Sequence, residues 1–575
     1  MRQARLWPLA LGLVTFWALA CGPRGAAPEG FGAGAQAVDE EPKRGGILTV
    51  AQSDDPPGGW DPMRASTTNL GHAIGPLTGA AKLVKPCRDD VDKLCPGLAE
   101  RWEANADSTQ YTFQIREGVK WHDGQPFTAE DAAFWIDLAY NGARAGDKLR
   151  APALYKSDLG AIKGVEALSG NRLRVTLEAP DPFWVAAGIV QLLPNTGSGV
   201  TWHPKHLMQP RIQAGEMSVA PADVGFVGLG PYRMEKHEKG SIIQYRRFDG
   251  YWEKDDKGRG LPFLDGIDMP IIQDPGAMDA ALRTGRIDGG ARNIGLRLNA
   301  ARYEALKNAM GDKVWFARIE GALHTLNLNT ARPSPLQDAR VRRAMSLWID
   351  RDEFLTATFG GACCGAVHPG VSPDSVWVNP DWKTWPGFNP ATREKDKAEA
   401  RRLMAEAGYA NGFEIPYFTR RPHTDISEFA TGHLAPLGVR LTIEFVDEAD
   451  RARRERGGDF FIRNFDAWSF EPGVGPEQYR TRLQRSSVNP ATIMKHEDPK
   501  IEEYFQRLER VATNVDERVK IWRELERYLV LEQALSIPTF QIYQVIPYRS
   551  YVKGSSIPKR GPGHNTDFAT DWLDK

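Results

Sequence analysis

From residue 46 onward, the alternation of apolar and polar positions divides the chain into short strands and amphipathic helices. Gly46 to Gln52 is a short apolar run and predicts a strand. Thr109 to Arg116 alternates strictly: Tyr111, Phe113 and Ile115 share one face, Thr112, Gln114 and Arg116 the other. Asp123-Gly124 signals a tight turn. Thr128-Ala129-Glu130-Asp131 predicts a helix start, since Thr caps and acids in the first turn suit the helix dipole. That helix is expected to reach about Asn141, and Leu173, Val175 and Leu177 mark a further strand. In the second half, Val341, Ala344, Met345, Trp348 and Ile349 recur at i, i+3, i+4, i+7 and i+8, one helical face. Ala400, Leu403, Met404 and Ala407 repeat that spacing, with Gly408 where a terminating glycine belongs. Val439, Leu441, Ile443 and Phe445 alternate as a strand, Ile501, Tyr504, Phe505 and Leu508 open a helix pair, and Ser536 to Ile546 is a last apolar strand. The interleaving predicts a mixed α/β fold class, with no internal repeat.

The N-terminus has a different pattern. Arg2 and Arg5 precede 15 uncharged residues, Leu6 to Ala20. That run is short of the roughly 20 residues a membrane span needs, and it fits the apolar core of an export signal. It ends Ala18-Leu19-Ala20-Cys21, which resembles the bacterial lipobox, with Ala18 where Leu is usual. Residues 1–20 are therefore expected to be a lipoprotein signal peptide, with Cys21 lipidated; an ordinary signal cut at an A-x-A-like site is the competing reading. Residues 21–45, rich in Gly, Ala and Pro, read as a flexible tether. The G-x-G run there follows no strand, so it is not a nucleotide loop.

Composition narrows the class. The 575 residues suggest three or four domain-sized units. A mean hydropathy of -0.44 with 26% charged residues indicates a soluble globular protein. The 73 basic residues against 74 acidic ones exclude the basic excess of a general nucleic-acid binder. Tryptophan is abundant at 17, which serves cores and also clefts that grip ligands. None of the five cysteines forms C-x-x-C. Cys87 and Cys95, flanked by Pro86 and Pro96, suit a small closed loop in an oxidising compartment, and the vicinal Cys363-Cys364 is read either as a strained ring or as two buried thiols. There is no G-x-S-x-G, H-E-x-x-H or P-loop motif, so no enzyme is expected, and a secreted hydrolase is a remote alternative. Pro204 between His203 and His206 predicts a loop and no metal site, and His122-Asp123 reads as a structural turn. No cofactor is implied.

Leu98-Ala99-Glu100-Arg101-Trp102-Glu103, then Tyr111-Thr112-Phe113, then Gly118-Val119-Lys120-Trp121-His122-Asp123-Gly124 and Pro126 to Asp131 resemble the signature of the family 5 extracellular solute-binding proteins. Gly228-Leu229-Gly230-Pro231-Tyr232-Arg233 with Tyr251-Trp252 is similar to a second block of that family. Leu328-Asn329-Thr330 with Asp338, Arg340 to Ala344 and Ile349-Asp350-Arg351 is similar to a third, and Ala398 to Gly412 to a fourth. The resemblance implies a two-lobed, periplasmic-binding-protein-like α/β fold with a ligand cleft between lobes. Lobe I would span 46–322, with an extra subdomain near 80–225, and return at 536–575; lobe II would span 323–535.

It also implies a receptor that captures di- or oligopeptides by hinge closure and delivers them to the membrane permease subunits of an ABC importer. The receptor would be extracytoplasmic, lipid-anchored and monomeric. An oligosaccharide or a nickel chelate is the alternative ligand. Buried peptide termini need opposite charges. Glu471, three residues after Trp468, stands where peptide-binding relatives carry an acid that grips the amino group. Arg421, with Arg420 beside it and His423 following, stands where relatives grip the carboxylate, and Asp54 and Asp55 lie in a first loop that borders the cleft. For a chelated metal, His423 and His368 are the weaker candidates.

Overall fold

A computed structural model describes residues 41–56, 60, 68–79, 81–87, 93–145, 148–151, 159, 161–185, 202–216, 220–290, 298–360, 364–371, 375–420, 424–467, 483–487, 492, 494–512, 514–554 and 568–575. Cys21, Cys363, Arg421, His423, Trp468 and Glu471 lie outside the described residues.

Strand β1 (Ile47–Thr49) opens a first sheet. Before completing it, the chain builds a second sheet from β2 (Ala99–Ala104), β3 (Gln110–Ile115), β4 (Ile162–Leu168) and β5 (Arg172–Leu177), ordered β2-β3-β5-β4 and covered by helix α1 (Ala129–Asn141). It then returns as β6 (Tyr232–Glu238), β7 (Ile242–Arg247) and β8 (Gly266–Pro270), giving the order β1-β8-β7-β6 with β1 parallel to β8.

The second half starts from the long strand β9 (Val314–Leu328). Helices α2 (Ala339–Trp348) and α3 (Arg351–Phe359), the two-residue strand β10 (Gly365–Ala366) and helix α4 (Arg393–Glu406) follow. Strands β11 (Phe413–Thr419), β12 (Val439–Phe445) and β13 (Ile462–Ala467), helices α5 (Pro499–Arg510) and α6 (Val515–Arg527), and strand β14 (Ser536–Arg549) complete it. The six strands order as β10-β14-β9-β13-β11-β12.

Two of these strands belong to two cores at once. β9 and β14 pair antiparallel from Val314↔Arg549 to Asn327↔Ser536. Ala317, Ile546 and Tyr548 pack with Leu48, Tyr245 and Ile267 of the first sheet. Further along the same pair, Leu326, Leu328, Ile537 and Phe540 pack with Met345, Leu403 and Tyr417 under α2 and α4. The second sheet has its own core, in which Trp121, Trp135, Trp184 and Trp202 are buried. Each indole finds use for its polar edge where it can: Trp184 Nε1 donates to Leu159 O at 2.7 Å and Trp135 Nε1 to His203 Nδ1 at 3.2 Å.

The predicted helix start is present, with a difference. The Asp131 carboxylate accepts both the Thr128 N–H and the Thr128 hydroxyl at 3.0 Å, and the first helical N–H, that of Ala129, donates to Asn171 Oδ1 at 2.8 Å. A second difference concerns His203-Pro204-Lys205-His206. The expected loop is the beginning of a helix, Lys205–Gln213, with Pro204 at its N-cap, because proline costs nothing where no helical N–H is needed. The ring of His206 meets Asp123 at 2.7 Å and that of His203 meets Trp135, so the two histidines do not converge.

Two of the resemblance blocks meet at His122. Its Nδ1 accepts the Gly228 N–H at 3.2 Å, which leaves Nε2 protonated and donating to Gly230 O at 2.9 Å. The same segment lies against the helix Thr68–Thr78, where a Cβ on Gly228 would come within 2.3 Å of Leu77 O. Only glycine permits that approach. Burial pushes the His122 pKa down to about 4, with Arg233 adding to the effect. The fold therefore holds this histidine neutral, and its contribution, about 3 kcal/mol, is present above pH 6.5 and lost as pH falls from 6.5 towards 4. Buried His368 is pushed to about 4 as well, while buried Glu526, raised to about 7, works in the opposite sense between pH 4.5 and 7. Thermal unfolding across pH 4–7 should show a shallower dependence in His122→Gln than in wild type; parallel profiles would refute the assignment.

Cys87 and Cys95 form a disulfide, with Cα atoms 5.0 Å apart and a sequence separation of 8. Closing so short a loop is worth about 2.5 kcal/mol. Cys87→Ser/Cys95→Ser should lower the midpoint of the second sheet's unfolding accordingly, and an unchanged midpoint would contradict this. Cys364 is also disulfide-bonded and buried, so the reading of two free thiols at 363–364 is corrected for this residue. Its partner lies outside the described residues.

Candidate functional site

In the third sheet, β11 is parallel to both its neighbours, β12 and β13. The chain leaves β11 for β12 on one side and returns as β13 on the other, so the direction of connection reverses at the carboxyl ends of β11 and β13. Open α/β sheets bind ligands at such a reversal. Tyr417↔Ile462 and Phe418↔Arg463 fix the register, and each strand ends one residue before a candidate segment: Thr419 before Arg420 to His423, and Ala467 before Trp468 to Glu471. Two strands more than forty residues apart in sequence thus lie side by side, each preceding a candidate segment in the chain. Of these candidates only Arg420 is described; it is half-buried and engaged with its surroundings.

The first sheet repeats the arrangement. Asp54 and Asp55 follow β1, which is parallel to β8, and a bridge Gln52↔Ile271 extends that pairing to the loops. Asp54 accepts from Ser53 Oγ at 2.8 Å and Gln273 Nε2 at 3.3 Å. Asp55 is committed elsewhere: it accepts from His237 Nε2 at 2.8 Å and from the Gly240 N–H, holding the loop on the β6–β7 turn. Trp60 Nε1 donates to the other nitrogen of His237 at 3.3 Å, which sets the tautomer.

Several polar groups at the strand ends escaped the sequence reading. Thr419 is 2% exposed, and its hydroxyl has no partner among the described residues. Asn464 on β13 places Nδ2 3.4 Å from His324 Nδ1 and leaves Oδ1 without a partner there. Buried polar groups with spare hydrogen-bonding capacity are uncommon. Their one signal in the sequence is polarity where a central strand calls for apolar residues. His368 is buried, with Nε2 2.7 Å from Gln541 Oε1. Among the described residues, no group of three or more His, Cys, Asp or Glu could hold a metal ion, and no helix is long and apolar enough to cross a membrane.

Most of the described tryptophans serve cores. Trp60, Trp121, Trp135, Trp184, Trp202, Trp348, Trp377, Trp385, Trp522 and Trp572 are all buried, and no described tryptophan is exposed. Trp102, Trp252, Trp315 and Trp382 are half-buried.

Comparison with known proteins agrees with this architecture. The family model described as bacterial extracellular solute-binding proteins, family 5 Middle, matches residues 93–486. A glutathione-binding protein GsiB of Pectobacterium atrosepticum is 26% identical over 370 residues, 64% of this chain and 63% of that protein. The dipeptide-binding protein of Escherichia coli K12 is 24% identical over 453 residues, 72% of this chain and 78% of that protein. Heme-binding protein A of Haemophilus influenzae is 25% identical over 481 residues, 80% of this chain and 81% of that protein. Among solved structures, the periplasmic binding protein DppA of Helicobacter pylori in complex with the peptide STSA superposes with a TM-score of 0.70 at 21% identity, covering 93% of this chain and 99% of that one. HbpA2 of Haemophilus parasuis superposes at 0.71 with 21% identity, covering 92% and 100%. With its family model matched over most of its length and its fold shared with periplasmic binding proteins, this chain belongs to the bacterial extracellular solute-binding proteins of family 5.

Proposed function

We propose that the chain is the substrate-binding subunit of an ABC importer and captures short peptides between two lobes. Lobe I is taken as 46–322 with 536–575, and lobe II as 323–535. The observation that carries the reading is that β11 and β13 are adjacent and parallel, and that in the sequence Arg420 follows the end of one and Trp468 the end of the other. Opposite charges delivered by one crevice suit a zwitterion: Glu471 for the ammonium group, Arg421 with Arg420 for the carboxylate, and Trp468, His423 and Asp54 around them. Relatives named for dipeptide and glutathione binding, and a structural neighbour holding a peptide, support this ligand class. Sugar binding rested on tryptophan abundance, and ten of the described tryptophans fill cores.

Native mass spectrometry of the mature domain from residue 22, purified without denaturation, is the test. A bound short peptide is the expected result. A bound sugar or haem would redirect the ligand assignment, and an empty protein with no thermal shift on adding peptides would overturn it, because ligands that bind only the folded state raise stability by mass action. For the anchor, we take residues 1–20 as removed and Cys21 as lipidated. Mass spectrometry of the membrane-extracted N-terminus should find a lipid-modified Cys21; an unmodified cysteine refutes it.

A further inference from the structure

After β5 the chain makes a tight turn, Pro180-Asp181-Pro182-Phe183-Trp184, that faces two ways. The turn is fastened to the second sheet. The Asp181 N–H donates to Ser108 O at 3.1 Å, the Asp181 carboxylate accepts the Phe183 N–H at 3.0 Å, and the Tyr111 hydroxyl donates to Asp181 O. Trp184 plugs into that sheet's core, 5.2 Å from the ring of Tyr111. Phe183 points away from it. It is 5% exposed, buried in the core formed by α5, α6, Val371 and Trp377, with Ile521 and Trp522. Among the described residues it is the one residue of 81–229 in that core. The guanidinium of Arg518, on α6, lies 5.0 Å from the Phe183 ring and 5.1 Å from the Trp377 ring. A cation thus sits between two aromatic faces, one from each lobe.

We infer that Phe183 is an interlobe latch, which docks on Trp377 and Arg518 and sets how much of the receptor is closed before a ligand arrives. The inference rests on the two-lobed capture reading above. Phe183 cannot follow lobe II when the lobes part, because Trp184 and Asp181 hold its backbone to lobe I. Parting exposes an apolar ring and separates it from the cation. Among the described residues of 81–229 one side chain enters this core, enough to bias a hinge equilibrium and too small to lock it.

Spin labels on Lys163→Cys in β4 and Glu503→Cys in α5, both exposed positions, report the lobe separation in the ligand-free mature domain by pulsed electron resonance. Phe183→Ala should lower the ratio of short- to long-distance populations about tenfold, equivalent to about 1.4 kcal/mol. Arg518→Gln, which alters the other side of the contact, should shift it the same way by a smaller factor, and Phe183→Tyr should retain the wild-type ratio. Thermal midpoints should stay near wild type, because Phe183 is a surface residue in the open form. Distance distributions unchanged in both variants would overturn the latch, and so would a melting collapse common to both, which would make the contact ordinary core. Peptides that fail to bind would overturn the functional reading and leave these populations as they are.

Discussion

Arg351→Met is expected to remove about 4–6 kcal/mol of stability, a large share of the roughly 5–15 kcal/mol by which a domain is stable. Arg351 is 1% exposed and occupies the junction of α2, α3, β14 and the turn at Gly387. Its Nε donates to Pro538 O at 2.8 Å, Nη1 to Ser346 O at 3.0 Å and Gly387 O at 2.6 Å, and Nη2 to Ser346 Oγ at 3.0 Å. The guanidinium also lies 4.0 Å from the Phe388 ring centroid. Methionine fills the space and satisfies none of these acceptors, and an unpaired buried carbonyl costs about 1–3 kcal/mol. Gly387, at φ +81°, turns its carbonyl toward the guanidinium in a conformation that other residues rarely adopt. Arg351→Lys should recover less than half of the loss, since one ammonium cannot span a planar fork of acceptors. Denaturant unfolding followed by tryptophan fluorescence reads the effect, and a loss below about 1 kcal/mol for Arg351→Met would show that the acceptors find other donors.

Glu471→Gln is expected to weaken binding of a free-terminus tripeptide about 100-fold, with a similar loss for Arg421→Gln. Removing one partner of a desolvated charge pair costs about 2–5 kcal/mol, mostly because the remaining charge stays buried and unpaired. The pairing also predicts a chemical specificity. N-acetylation removes the ammonium, so wild type should discriminate against the acetylated tripeptide while Glu471→Gln should not. Isothermal titration of both peptides against both proteins gives the four affinities needed. Equal wild-type affinities for free and acetylated peptide would remove Glu471 from the site, whatever the fate of Arg421.

Much of the local structure was legible because it depends on near neighbours. Strict alternation at Tyr111, Phe113 and Ile115 marked β3, and all three are buried. The helical face of Val341, Ala344, Met345 and Trp348 marked α2, and it packs in the core as spaced. Arg351 was visible only as part of a resemblance. Nothing in an Ile-Asp-Arg triplet announces a buried cation, because the carbonyls that hold it come from residues as distant as Gly387 and Pro538. Phe183 and Trp184 read alike in sequence, and only the packing of separate elements turns one into each core.

The candidate site divides along the same line. Residue type and spacing singled out Trp468, Glu471, Arg421 and their neighbours, while the adjacency of the strands that precede them came from strand order. β13 follows β11 by more than forty residues of chain yet lies beside it, and a crossover of that kind leaves no periodic trace. Asp55 shows the converse. Its sequence position suggested a cleft-side acid, and its hydrogen bond from His237 comes from a hairpin about 180 residues away. By itself, then, the sequence determined the elements, the class of fold and the family, because periodicity, capping and glycine requirements act over a few residues. The tertiary structure alone decided which charges are paired, which aromatics are core and which strand ends meet, because those depend on contacts between segments whose separation along the chain carries no local signal.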